Sequence, residues 1–323
     1  MITIARFASV LLAVLFAAPG FVAAQQYPSK PIRLIIPFPP GGATDIGGRY
    51  IAQKLGEAFG QQAIPDNRGG ANGTIGLDLA SKAPPDGHTL VLGQTGNLAI
   101  SPGITKVAYD PERDFAPISL IMASPHAFAV YPSVPARNFK EVIAFVRARP
   151  GQLNYASTSS GSAGHIGMEI LKKATRMDIT HVPYKGAAPG LADLAAGHVM
   201  LMFTSVLSTE TIRRAGRVRV FATGGLKRSP LLPDVPTVAE SGFPGFEIIS
   251  WWGLLGQAAM PKEVVARLHG EVVKIMASPD AQKRIGSLGA EIKTNTPAEF
   301  AAYIKSERAK WGQGIKDSGA RVD

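Results

Sequence analysis

The sequence predicts an α/β fold of two lobes, each a doubly wound mixed sheet with helices on both faces. Two observations carry this. Short apolar runs alternate with amphipathic stretches from Gln25 onward, the pattern of strands feeding crossover helices. The units are also too many for one small sheet, and 323 residues suffice for two α/β lobes.

The elements follow in order. Arg6 is the only charge before an apolar run from Phe7 to Ala18, and Val22-Ala23-Ala24 supplies small residues where a signal peptidase cuts. Pro19-Gly20 ends that run well short of the roughly 20 residues a membrane span needs. Residues 1–24 therefore read as a signal peptide cleaved after Ala24, which places the mature chain in the periplasm. Ile32 to Pro37 is a buried strand. Thr44 to Phe59 is a helix with Ile46, Tyr50, Ile51, Leu55 and Phe59 on one face, stopped by Gly60. Gln62–Ile64 is a strand, Thr74–Lys82 a short helix, and Asp86-Gly87 a turn into the strand Thr89–Leu92.

The middle repeats this alternation. Ala127–Tyr131 is a strand. Asn138 to Glu141 is a capping-box pattern that opens a helix running to Arg149. Strands follow at Asn154–Ala156, Ile179–Val182, Val199–Phe203 and Val218–Ala222. The helices between them are Ala163–Ala174, Pro189–Ala196 and Thr209–Ala215. The last third is helical: Pro261 to Met276, Pro279–Leu288, and a helix to Lys316 opened by the capping box Thr296 to Glu299. Crossings near Ile118–Ser124 and Val220–Gly225 make lobe 1 discontinuous, residues 25–120 and 225–323, with lobe 2 at 121–224.

Composition excludes several function classes. The net charge of +10 comes from dispersed Lys and Arg with no interleaved aromatic platform, so nucleic acid is not a partner. There is no Cys, hence no disulfide, thiol nucleophile or thiolate metal site. His88, His126, His165, His181, His198 and His269 are scattered without ligand spacing near a carboxylate, so no metal is expected. Ser162 has Gly164 after it but Ser160 before it, half of a nucleophile elbow. The glycines at 41, 42, 47 and 48 make neither a dinucleotide fingerprint nor a Walker loop. No acid–base pair declares itself, so neither an enzyme nor a cofactor is expected.

Ligands of open α/β sheets bind at the carboxyl ends of strands, and the loops there are distinctive. Pro37 to Asp45 (PFPPGGATD) joins the first strand to the first helix. Its prolines stiffen it, its glycines admit close backbone approach, and the helix behind it offers unpaired N–H groups to an anion. Thr44 and Asp45 could equally just cap the helix. Tyr155 to His165 (YASTSSGSAGH) concentrates hydroxyls between a strand and a helix, where His165 either joins the site or only packs or caps. Pro183 to Gly190 contains Lys185, which either pairs with a carboxylate or is solvated. Gln94-Thr95-Gly96-Asn97 is a fourth, weaker candidate.

At these loops the chain resembles the tripartite tricarboxylate transporter receptors, the Bug family. The likeness runs through YPSKPIRLIIPFPPGGATDIGGR from Tyr27, DNRGGANG from Asp66 and PPDGHTL from Pro84. It continues at Tyr109-Asp110, Asp114 to Pro117, HVPYKG from His181, Arg228 to Pro230, Pro233 to Thr237, and Trp252-Gly253. It implies a type II periplasmic binding protein, a Venus-flytrap that closes on a di- or tricarboxylate or an aromatic acid. Such a receptor hands its ligand to a permease with two integral membrane subunits. A sensor kinase as the membrane partner is the alternative reading, and a periplasmic enzyme a more distant one. A monomer is expected. The resemblance assigns Gly41, Gly42, Ala43, Thr44 and Asp45 to the first-lobe site. It assigns Ser157, Thr158, Ser162 and His165 to the second, with Tyr184, Lys185 and Gly186 nearby. Phe38 would pack on the ligand's apolar part, and Thr95 and Thr204 complete the candidate set. Two departures stand out: Met200 and Thr204 occupy positions where relatives often carry Asp. If Thr204 faces the cleft, the ligand should lack an amine.

Overall fold

The computed structural model describes residues 27–319, so the predicted signal peptide lies outside the described residues. β1 (Ile32–Ile36) is apolar at every position but Arg33, which pairs with Asp66, and it runs parallel to β2 (Ala63–Asn67) and β3 (Thr89–Gln94). Near-continuous apolarity is what a parallel strand covered on both faces requires. Between β1 and β2 runs α1 (Ala43–Phe59), which packs Tyr50, Ile51 and Leu55 on the sheet. It ends at Gly60, whose φ of 65° is left-handed. A 3₁₀ turn, Ala71–Gly73, leads into α2 (Thr74–Ser81), and a π turn, Gly96–Ile100, leads from β3 into the short α3 (Ser101–Ile104).

β4 (Phe115–Val130) is the 16-residue spine of the molecule. After it come α4 (Phe139–Arg147), β5 (Asn154–Ser157), α5 (Ala163–Thr175), β6 (Thr180–Pro183), α6 (Ala187–Ala196), β7 (Leu201–Ser205), α7 (Val206–Arg214) and β8 (Arg219–Thr223). β9 (Ile249–Gln257), α8 (Lys262–Ala277), α9 (Pro279–Arg284), β10 (Glu291–Ile292) and α10 (Pro297–Ser318) complete the order. From Phe115 to Pro125, β4 runs antiparallel to β9, and Met122 and Ala123 pair with β10 on its other edge. From His126 to Val130 it runs antiparallel to β7 and β8. One strand therefore belongs to two mixed sheets: β2-β1-β3-β9-β4 with β10, and β8-β4-β7-β5-β6. The segment 225–248 returns along the second sheet, where Thr237 bridges Thr223 and Leu232 packs on Ala127 and Val206.

Both predicted capping sites form, one of them in altered form. Thr296 and Glu299 exchange the two bonds of a capping box. Asn138 accepts from Glu141 N, but the Glu141 carboxylate reaches back one residue further, to Arg137 N. The predicted helix Pro279–Leu288 is instead α9 followed by a 3₁₀ turn at Gly286–Leu288. β9 and the first half of β4 lie outside the predicted elements. Pro117 and Pro125 argue against a central strand, and β4 accommodates its irregularities through register shifts at Pro117/Ser119 and Leu120/Met122. α10 is clamped at Glu307, whose Oε2 accepts both Trp251 Nε1 (2.8 Å) and Trp311 Nε1 (3.1 Å). Satisfying two buried indoles with one buried carboxylate ties the C-terminal helix to β9.

Candidate functional site

Four helices begin at one cleft between the two sheets, each leaving the carboxyl end of a parallel or mixed strand. α1 contributes Gly42, Ala43 and Thr44 to the lining, α5 Ser162 and Ala163, α6 Ala187, and α7 Ser205 and Ser208. Phe38, Pro39, Gln94, Thr158, Thr204 and Trp252 lie among them, and the cleft encloses about 470 Å³ of empty space that is partly open to solvent. The first N–H groups of a helix have no acceptor within it, and each N-terminus carries roughly half a positive charge. Among the described residues, no Lys, Arg, Asp or Glu lines this cleft. Its positive potential therefore comes from peptide dipoles, an environment suited to a carboxylate.

On the first-sheet side, Gly41 turns the chain at φ +90°. The Asp45 carboxylate braces that turn by accepting from Gly41 N (3.0 Å), Arg49 Nε (2.8 Å) and Asn67 Nδ2 (2.9 Å). Burial pushes the Asp45 pKa upward, but these donors outweigh it and hold the carboxyl below its usual range. The Gly42 cap has no side chain to occupy the α1 donors. Thr44 Oγ1 accepts from Trp252 Nε1 at 2.8 Å, which fixes the indole against the cleft.

On the second-sheet side, hydroxyls cap the helices. Ser162 Oγ accepts from His165 N, and His165 Nδ1 in turn accepts from Gly161 N at 3.2 Å. The His165 ring stacks on His181 (4.1 Å between centroids), which stacks on Tyr155 at 4.9 Å. Ser157 Oγ donates its one proton to Ser159 O, so the His181 Nε2 contact at 2.7 Å must be an N–H donated to Ser157. Burial, reinforced by His165, lowers the His181 pKa to about 4 and keeps this ring neutral. At α7, Ser208 Oγ accepts from Ser205 Oγ and, across the cleft, from Ala43 N at 3.1 Å. With both lone pairs engaged, the Ser208 hydroxyl proton is left to donate.

The floor of the cleft is where the sheets meet. His126 on β4 and Ser250 on β9 line it and share a hydrogen bond of 2.8 Å. Burial lowers the His126 pKa to about 3, with the Phe203 backbone opposing, so this ring is also neutral. The walls touch. Asn72 Nδ2 donates to Gly161 O at 2.9 Å, and a Cβ on Gly186 would sit 3.1 Å from Pro39 Cδ.

Of the residues picked from the sequence, Phe38, Gly42, Ala43, Thr44, Thr158, Ser162 and Thr204 line the cleft. Gly41, Asp45, Ser157 and His165 instead shape the loops that do. Thr95 Oγ1 is engaged by Trp251 N, and Tyr184 donates to Asp193 Oδ2 at 2.6 Å. Burial and that carboxylate raise the Tyr184 pKa to about 12. Lys185 is exposed, and Gly186 serves the contact with Pro39. Sequence reasoning missed Pro39, Gln94, His126, Ala163, Ala187, Ser205, Ser208, Ser250 and Trp252 as lining residues. Ser205 and Ser208 carried a signal, a hydroxyl pair directly after a strand, and Pro39, Gln94, Ala163 and Ala187 lay in loops already singled out.

A sequence model described as the tripartite tricarboxylate transporter family receptor matches residues 48–320. The chain belongs to that family. A relative from Pseudomonas sp. strain P51, the UPF0065 protein of the tcbD-tcbE intergenic region, is 38% identical over 88% of this chain and 85% of its own length. The R. palustris protein Rpa4515, solved with adipate, is 34% identical with a TM-score of 0.89 over 92% of this chain and all of that one. MatC from Rhodopseudomonas palustris, solved with bound malate, is 29% identical with a TM-score of 0.85 over 90% of this chain and 100% of its own. The receptor thus has the two-lobed α/β fold of periplasmic binding proteins, and its family and structural neighbours are solute-binding receptors, not enzymes. Among the described residues, no helix is long and apolar enough to cross a membrane.

Proposed function

We propose that this receptor is exported to the periplasm, closes around a small dicarboxylate lacking an amine, and delivers it as a monomer to a tripartite tricarboxylate-type permease. The observation that carries the reading is the convergence of four helix N-termini on a cleft lined by no charged side chain. Such a cleft rewards negative charge and offers an ammonium group no carboxylate partner. Thr204 in the lining adds a neutral hydroxyl and no carboxylate, which points the same way. The carboxylate ligands of Rpa4515 and MatC support the ligand class. In this reading α1 captures one carboxylate on the first lobe, and closure brings the Ser162 and Ser208 hydroxyls onto the rest. The lobes divide where β4 changes sheets, between Pro125 and His126, and where β9 begins.

Calorimetry tests this directly. The protein purified from a periplasmic fraction is titrated with C4 to C8 dicarboxylates, monocarboxylates, aromatic acids and amino acids. A dicarboxylate should bind at least tenfold more tightly than the amino acid of the same length. Tighter binding of the amino acid, or turnover of any acid, would overturn the reading. Mass spectrometry of the same sample checks cleavage after Ala24. Uptake of the labelled ligand in cells with and without the permease genes checks the membrane partner.

A further inference from the structure

β4 and β9 present two faces where they bridge the sheets. Pro125 pairs with Ile249 and Ser124 with Ser250. Neighbouring strand residues point to opposite faces, and here the faces differ. His126 and Ser250 line the ligand cleft, whereas Pro125 and Ile249 line a second, larger pocket behind it, of about 1460 Å³ of empty space including open solvent. One wall of this rear pocket is the loop 225–231, which follows β8 of the second sheet. The other is the stretch from Gln282 to Ile292, which ends in β10 of the first. The rear pocket thus spans the same two bodies as the ligand cleft, on the other side of the shared strands.

Its chemistry is specific. Leu226, Leu231, Ile249 and Ile292 make it apolar, and Leu226 is 55% exposed. Three of its charged side chains are already paired: Arg228 with Glu240, Glu247 with Lys310, and Glu291 with Lys293. Lys227 is the exception; among the described residues it has no ion-pair or hydrogen-bond partner. An apolar pocket with one uncommitted cation complements an apolar body carrying one anionic head group.

We infer that the rear pocket is an allosteric site for a small amphipathic organic anion, and that its occupancy favours the closed form of the ligand cleft. The coupling rests on the receptor reading above. When the lobes rotate about β4 and β9, narrowing one side widens the other, and here the walls of the ligand cleft touch while the rear pocket stands open. A molecule seated in the rear opposes reopening, so each ligand must tighten the other by the same factor.

The probe is 1-anilinonaphthalene-8-sulfonate, an aromatic anion whose fluorescence rises on apolar contact. It is titrated into the wild type, Leu226→Asp and Lys227→Glu, with and without a saturating dicarboxylate. The expected result is that the dicarboxylate tightens probe binding to the wild type at least threefold. Each substitution should weaken probe binding at least tenfold while leaving dicarboxylate affinity, measured without probe, within twofold. Both positions are exposed, and circular dichroism confirms that the variants fold. Equal probe affinity in all three proteins, or affinity indifferent to dicarboxylate, would overturn the inference. If no carboxylate binds at all, the receptor reading and the coupling fall together, while the comparison of the three proteins still decides whether the rear pocket binds an anion.

Discussion

The loop of residues 37–45 and the loop of residues 155–165 each carry a strand into a helix at the cleft, and they arrive with different chemistry. The first leaves its helix uncapped at Gly42 and spends its carboxylate, Asp45, on bracing the turn behind. It offers backbone donors. The second caps its helix with Ser162 and backs its hydroxyls with the His165–His181–Tyr155 stack. It offers side chains held in place. The first wall can therefore recognise any carboxylate, and discrimination among acids should lie with the second.

The comparison is broken most severely at Gly42. Its φ of −90° and ψ of 173° suit any residue, and a Cβ there would lie 3.6 Å from Ala187 Cβ, an ordinary contact. Gly42→Asp caps α1 and so should raise stability, though by only a few tenths of a kcal/mol because Gly is itself a tolerated N-cap. It also sets a negative charge against the bound carboxylate, a repulsion of about 3 kcal/mol at an effective dielectric of about 20, or roughly a 100-fold loss of affinity. Calorimetry and thermal melts should move in opposite directions; unchanged affinity would remove α1 from the site. Ser208→Ala deletes one hydroxyl donor to a charged group, about 1.5 kcal/mol or roughly tenfold in Kd. The loss should differ between dicarboxylates of different length, and an equal loss for all would deny the second wall its discriminating role.

His181→Phe keeps the ring stack but withdraws the N–H from Ser157, and about a threefold loss is expected. It also tests a pH effect. A His whose folded pKa lies near 4 takes up its proton in the unfolded chain first, near the ordinary value of about 6.5. Its contribution to stability is therefore whole above about 6.5 and is lost as pH falls toward 4. Melting temperature should drop across that window in the wild type and drop less in His181→Phe; parallel curves would contradict the assignment. The smallest effect is expected at exposed Lys185, where Lys185→Ala should change Kd less than about twofold. A larger loss would show that Lys185 reaches the ligand and that the first wall is not the only general carboxylate binder.

The strand and helix alternation was legible because each unit is short and its apolar period clear, as in Ile32–Ile36 and Tyr50–Leu55. β9 and the first half of β4 were not legible, because Pro117, Pro125, Gly253 and Gly256 are poor strand residues that survive only where bulges and close packing accept them. That omission explains the site residues that were missed. Ser250 and Trp252 reach the cleft on β9, and His126 sits where β4 changes sheets, one residue before the predicted strand, so no local pattern around them points to a ligand. Ser205 and Ser208 were missed for a smaller reason: α7 begins at Val206, three residues before the predicted start. The loops 37–45 and 155–165 were legible because glycine and hydroxyl content after a strand has a direct physical meaning.

The placement of the three tryptophans equips the protein with an optical reporter of its own. Trp251 and Trp311 are locked to Glu307 in the interior, whereas Trp252 is anchored by Thr44 and lines the cleft. Their emission shares one background, and only the third fluorophore changes surroundings when a solute enters. Occupancy of the unlabelled protein is thus readable in real time from its ultraviolet emission, and Trp252→Phe silences that signal.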